Sequence, residues 1–301
     1  MEKGFMMQKA IDAHFHIWRQ KDQPWLIGPM VPRIFGPYEP IRRDYPIEEF
    51  LADQRNSDVE KAIYVQTNWA KEDFEKEVAF LQKTAEETGW PHAIVGYADM
   101  TVDDVRPQID RLKKYPLLRG VRMQLHWHEA PAFRFAASAD QVIDPKVRAN
   151  VARLKDYGLS FDLQLFPAQM KDGLTLVGEN PDTNFILTHA GMLTGMEPET
   201  TQAWKAGLRT LSAAPNFYAK LSGLGTFIHR NDPALIAYIV DNAIDILGSD
   251  QLMFGSNFPI EKLWTSHAEL IKVHREAVAK HGAAAEADIF WNTAEKVYKP
   301  A

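Results

Sequence analysis

No cysteine occurs among the 301 residues, which removes disulfides, thiolate metal ligands and cysteine nucleophiles together. Any metal would have to be held by His, Asp or Glu. No apolar run approaches the roughly 20 residues that cross a bilayer, and the opening stretch Met1 to Lys9 lacks the apolar core of a secretion signal. The expectation is a cytoplasmic protein that engages no membrane. A long basic run is also missing. The 34 basic and 40 acidic residues leave a formal charge of −6, which argues against a nucleic-acid partner yet allows a small anion held by a local arginine. Without repeats, low-complexity tracts or an interdomain linker, residues 1–301 read as a single domain.

With 46% hydrophobic and 25% charged residues the chain can bury a large core. Short runs rich in Val, Ile, Leu and Phe alternate with segments of helical period, the pattern of successive βα units. The strands are expected near 9–18, 60–68, 92–99, 117–125, 159–166, 184–190, 216–223 and 251–258. Helices are expected over 73–88, stopped by Gly89, and over 144–157, opened by Asp144-Pro145 and stopped by Gly158. Eight such units predict an α/β fold, a (β/α)8 TIM barrel. Two segments exceed the repeat. Residues 19–46, with six prolines, follow the first strand, and residues 126–143 follow the fourth. Both are read as pocket walls. The closing segment 289–298 is expected to be a short helix packed outside the barrel.

Within Ile11-Asp12-Ala13-His14-Phe15-His16-Ile17-Trp18 two imidazoles stand two residues apart in a strand-like run, and alternation points both to one side. At the carboxyl end of a first barrel strand they would converge on the interior, where neutral imidazoles can bind a divalent metal. The sixth run ends Thr188-His189-Ala190-Gly191 and the eighth ends Gly255-Ser256-Asn257-Phe258-Pro259, so polar groups from distant parts of the chain meet at one end once the barrel closes.

Those motifs, in order and with the closing Asn292-Thr293-Ala294, resemble the amidohydrolase superfamily, in particular its amidohydrolase-2 branch of lactonases. The resemblance spans essentially the whole chain. It implies that His14, His16 and His189 are catalytic and able to hold one divalent metal, zinc by preference, although the branch also has metal-free members. Asn257 is placed in the same catalytic set, at a position where the family usually carries aspartate as ligand and base. An amide can neither take a proton at neutral pH nor match a carboxylate as ligand. Another base is then needed, and His126, His128, Glu129 and His229 are candidates.

Arg122 in Arg119-Gly120-Val121-Arg122 lies where similar lactonases grip an anionic group, and a guanidinium reads carboxylate or sulfonate with two donors. Gln164 resembles the glutamine that donates to the bound carbonyl. With His126, His128 and Trp18 these make up the substrate-binding set. Asp162, deeper on its face, is expected to tie a neighbouring strand, and Lys220 and Ser222, a deep and shallow pair on the seventh strand, are assigned no catalytic step. The function implied is hydrolysis of the lactone ring of a small anionic molecule; the alternatives are a decarboxylase or isomerase on the same scaffold, or a binding protein that has lost catalysis. A homo-oligomer is left open.

Overall fold

The computed structural model describes residues 9–301. Eight parallel strands form one sheet in chain order: β1 (Ala10–Phe15), β2 (Val59–Val65), β3 (Ala93–Gly96), β4 (Leu118–Arg122), β5 (Ser160–Leu163), β6 (Phe185–Leu187), β7 (Phe217–Leu221) and β8 (Leu252–Phe254). The ring closes just past the strand ends, where Asn257 N–H donates to the His14 carbonyl at 2.7 Å and His16 N–H to the Phe258 carbonyl at 2.8 Å. This is the expected TIM barrel. Parallel barrel strands are buried on both faces and therefore read as apolar runs. Their carboxyl-terminal tails leave the ladder earlier than expected, at Phe15 and Phe254 for example, because the loops there turn inward over the barrel mouth.

Local sequence chemistry fixes the helices as read. Asp144 accepts from the N–H groups of Lys146 and Val147 ahead of Pro145–Val151, and Gly89 takes the left-handed conformation (φ 81°) that ends Phe74–Thr88. The segment expected at 144–157 is two pieces, with a 3-10 turn at Leu154–Tyr157.

The last helix, Thr293–Tyr298, corrects an expectation. It does not simply pack outside: Tyr298 is fully buried with an inner cluster that includes Ile11, Ile63, Val95, Ile186 and Met253. Its hydroxyl donates to Asp162 Oδ1 at 2.6 Å, while Lys220 Nζ meets Asp162 Oδ2 at 2.6 Å. A buried ion pair survives only when its remaining lone pairs are satisfied, and Tyr298 satisfies them. The barrel is thereby plugged at the strands' amino-terminal end, which leaves the opposite end to carry chemistry.

Over that opposite end lies the loop after β1. Trp18 and Tyr45 exchange backbone hydrogen bonds (3.0 and 2.9 Å) across its neck, and Trp18, Trp25, Phe35 and Tyr38 pack ring on ring at 5.5–6.1 Å.

Candidate active site

His14, His16 and His189 are brought together at the barrel mouth. The His14 ring lies 5.0 Å from that of His16 and 4.9 Å from that of His189. Gly255 permits this, since a Cβ on it would stand 2.6 Å from His14 Cβ. Two of the rings have a fixed orientation: His16 Nδ1–H donates to the Val65 carbonyl at 2.7 Å, and His189 Nδ1 lies 3.0 Å from Ser222 Oγ and 3.2 Å from the Ser222 carbonyl. Both ring nitrogens of His14 are buried without a partner. All three imidazoles are neutral. Burial, reinforced by the nearby Arg122 charge, pushes His16 and His189 down to about 3, and burial with Lys220 holds His14 well below the usual histidine range.

The backbone at this end is strained. His189, Ala190 and Met192 all have positive φ (55°, 47° and 54°), as does Asn257 (56°), each worth about 1–3 kcal/mol for a residue other than glycine. The Trp204 indole helps hold the first of these turns by donating to the Ala190 carbonyl at 2.6 Å.

Asn257 is buried, with its side chain beside His16 on one side and Glu261 on the other. Glu261 was not foreseen. It sits one turn on, its N–H on the Asn257 carbonyl at 3.3 Å, fully buried and met by Trp264 Nε1 (2.7 Å) and Thr226 Oγ1 (3.3 Å). Burial pushes its carboxyl up to about 8. The signal available was the Asn-x-x-x-Glu spacing.

A cavity of about 110 Å³ opens above these groups, lined by His16, His189 and Asn257 and by Arg122, Gln164, His126 and Trp18. Both long loops contribute walls, Trp25, Arg33 and Phe35 from the first and Arg134 and Phe135 from the second. No Asp or Glu lines it, although the chain as a whole is acidic. Arg122 is almost fully buried, its Nη2 donating to the Gln66 carbonyl at 2.5 Å and its Nε unpartnered. Desolvation lowers it to about 10, so it stays charged at neutral pH. Arg33 and Arg134 were also missed, because an irregular loop has no period from which to place a side chain.

His14 supports the other rings from behind rather than lining the cavity. His128 was expected among the substrate contacts and is not there: its Nδ1 accepts from Ala130 N–H at 3.0 Å and its ring rests on Phe166 and Phe133. His126, expected in the same set, does line the cavity, buried, with Nδ1 unpartnered and its imidazole lowered to about 3 by burial and Arg122. Glu129 and His229 are exposed, and His229 braces the first loop through the Ile34 carbonyl at 3.3 Å.

Residues 11–299 match the family described as Amidohydrolase. This chain belongs to that family. It is similar to the protein y4mH of Sinorhizobium fredii, with 33% identity over 96% of this chain and 98% of that protein. It is also similar to an L-fucono-1,5-lactonase of Burkholderia multivorans, with 28% identity over 96% and 95%. Among solved structures, an amidohydrolase from Burkholderia multivorans with bound zinc superposes with a TM-score of 0.80 at 27% identity, covering 98% of this chain and 100% of that one. The same amidohydrolase with bound HEPES gives 0.81 at 26%, covering 98% and 100%. Family and relatives make the chain a hydrolase.

The donor set of this amidohydrolase suits a metal in chemistry more than in arrangement. Neutral imidazoles with the second ring nitrogen tied to an oxygen are what metal ligands need. Yet among the described residues no group of three or more His, Cys, Asp or Glu is arranged to hold an ion, and Asn257 brings an amide where a carboxylate would complete the set.

Proposed function

We propose that this amidohydrolase opens the lactone ring of a small anionic molecule by water attack in the cavity above His16 and His189. The observation that carries the reading is the lining itself: three guanidinium groups, neutral histidines, amide side chains and aromatic walls, with no carboxylate. Such a site draws an anion out of water and offers it a two-donor clamp. Relatives named as L-fucono-1,5-lactonase support lactone opening, and a similar structure with bound HEPES, a sulfonate, supports an anionic group.

Arg122 holds the anionic group. Gln164, buried in the wall, donates its amide to the lactone carbonyl and stabilises the oxyanion as it forms. His189, with Nδ1 held by Ser222, uses Nε2 to take a proton from the attacking water while the new C–O bond forms. It returns that proton to the ring oxygen as the lactone C–O bond breaks, leaving a hydroxy acid. His16 and Asn257 position the water. A zinc ion, if His14, His16 and His189 were to close around it, would occupy His189 Nε2 in place of the proton and would supply polarisation of the carbonyl. The decarboxylase or isomerase reading loses ground because no carboxylate reaches the cavity. Incubation with a panel of lactones, neutral and anionic, alongside metal analysis of protein purified without added metal, tests the proposal; ring opening confined to anionic members is expected, and no ring opening above buffer would refute it.

A further inference from the structure

A second cavity adjoins the first on the β2 to β4 side of the barrel mouth. It measures about 220 Å³, against about 110 Å³ for the cavity above the histidines, and has room for far more than a bound water or two. The segments that follow β2, β3 and β4 enclose it, Trp69, Tyr97 and Met123 among them, and the second long loop forms its rim with Ala136 and Ala137. Asn68, Gln124 and Phe135 line both cavities and so make the partition between them. The proposed ring opening makes no use of this space.

Its walls have a definite chemistry. No arginine and no carboxylate of the described residues lines it, and its one lysine, Lys71, is largely exposed and lies 3.4 Å from Asp99, so it offers no buried charge to draw an anion out of water. A purely apolar occupant fits no better. Trp69 Nε1 and Gln124 Oε1 are buried without a hydrogen-bond partner, and hydrocarbon packed against them would leave both unpaired at a cost. The first is a donor and the second an acceptor. A hydroxyl, which accepts as well as donates, answers either one, while the rings of Trp69, Tyr97 and Phe135 suit the carbon skeleton that carries it. Gln124 links this chemistry to the reacting end, because its Nε2 lies 3.5 Å from Gln164 Oε1 in the first cavity and its Oε1 is left over.

We propose that the second cavity is a subsite for a hydroxylated ring, a sugar carried as a substituent on the lactone, so that the substrate spans both cavities past Phe135. The reacting end rests on the lactonase reading; the subsite does not. Ala137 is exposed and lines this cavity alone, so Ala137→Trp narrows it without touching the first. Trp69→Phe keeps the ring and deletes the N–H. The assay compares one anionic lactone with the same lactone bearing a galactosyl substituent. Wild type is expected to favour the galactosyl form about tenfold in kcat/KM, the factor that one or two hydrogen bonds allow. Ala137→Trp is expected to abolish this preference while staying within about twofold of wild type on the bare lactone, and Trp69→Phe to lose about threefold on the galactosyl form only. Methyl galactoside probes the subsite without turnover: saturation-transfer NMR is expected to show it bound to wild type and lost in Ala137→Trp. Binding of the galactoside with no lactone opened would sink the lactonase reading and leave the subsite standing. Absence of galactoside binding to wild type, or equal binding to Ala137→Trp, overturns the subsite.

Discussion

Replacing Arg122 with Ala removes the one guanidinium that is both buried and directed into the cavity floor. Its unpartnered Nε and the absence of a lining carboxylate leave its charge for a ligand. A charge-assisted hydrogen bond in such a setting contributes roughly 1.5–3 kcal/mol, so kcat/KM on an anionic lactone should fall about ten- to a hundredfold. Arg122→Lys should recover only part, because an ammonium cannot reproduce the two-donor fork. The assay pairs an anionic lactone with its neutral ester analogue in wild type and both variants. A second readout uses His126, which Arg122 helps to depress to about 3: its imidazole resonances should titrate at higher pH in Arg122→Ala. The variant also strips the Gln66 carbonyl of its donor, a stability loss of about 1–3 kcal/mol, so denaturation curves must accompany the kinetics. Equal losses on the anionic and neutral substrates would show that Arg122 only braces the wall, and the anionic-substrate reading would be withdrawn.

Two further outcomes follow from the same geometry. Asn257→Asp places a carboxylate beside His16, so protein dialysed after zinc loading should retain more zinc than wild type; equal retention would remove these residues from consideration as a metal site. Acid should unfold the protein early. His16, His126 and His189 at about 3 and His274 at about 4 are depressed by burial, so their stabilisation is full above the unfolded value near 6.5 and is lost as pH falls toward those folded values. At pH 5 each loses about 2 kcal/mol, against a typical total of about 5–15 kcal/mol. Glu261 and Glu77, shifted upward by burial, act in the opposite sense and return part of this. Circular dichroism should show cooperative loss of structure between pH 6 and 4, whereas an unchanged denaturant midpoint at pH 4 would contradict the assignment of neutral buried histidines.

The barrel was legible because each strand is an apolar run bounded by turn residues, and strand starts such as Ala10 and Leu252 fall within a residue of expectation. Strand ends were not, since the residues after Phe15 and Phe254 remain buried although the chain has left the ladder. His14, His16 and His189 could be grouped in advance because closing a barrel brings the first and later strands to one mouth. Arg33 could not, because its place depends on the Trp18–Tyr45 neck contact far from it in sequence. Tyr298 was misplaced for a related reason: helical periodicity shows which face is apolar but not whether that face meets the outside of a barrel or plugs its floor. Glu261, between Ile260 and Lys262, was not singled out in the sequence. Only the tertiary packing of Trp264 and Thr226 around it reveals a buried acid.

The central claim is that the histidine-lined cavity hydrolyses anionic lactones. Proton release during ring opening, followed for wild type, His16→Ala and His189→Ala on the same anionic lactone, tests it most directly. Rapid proton release by wild type is predicted, with loss of at least about a hundredfold in His189→Ala, the scale of a removed acid–base group, and a smaller loss in His16→Ala, which only positions the water, while their circular dichroism stays that of a folded barrel. Ring opening by both variants at the wild-type rate would contradict it.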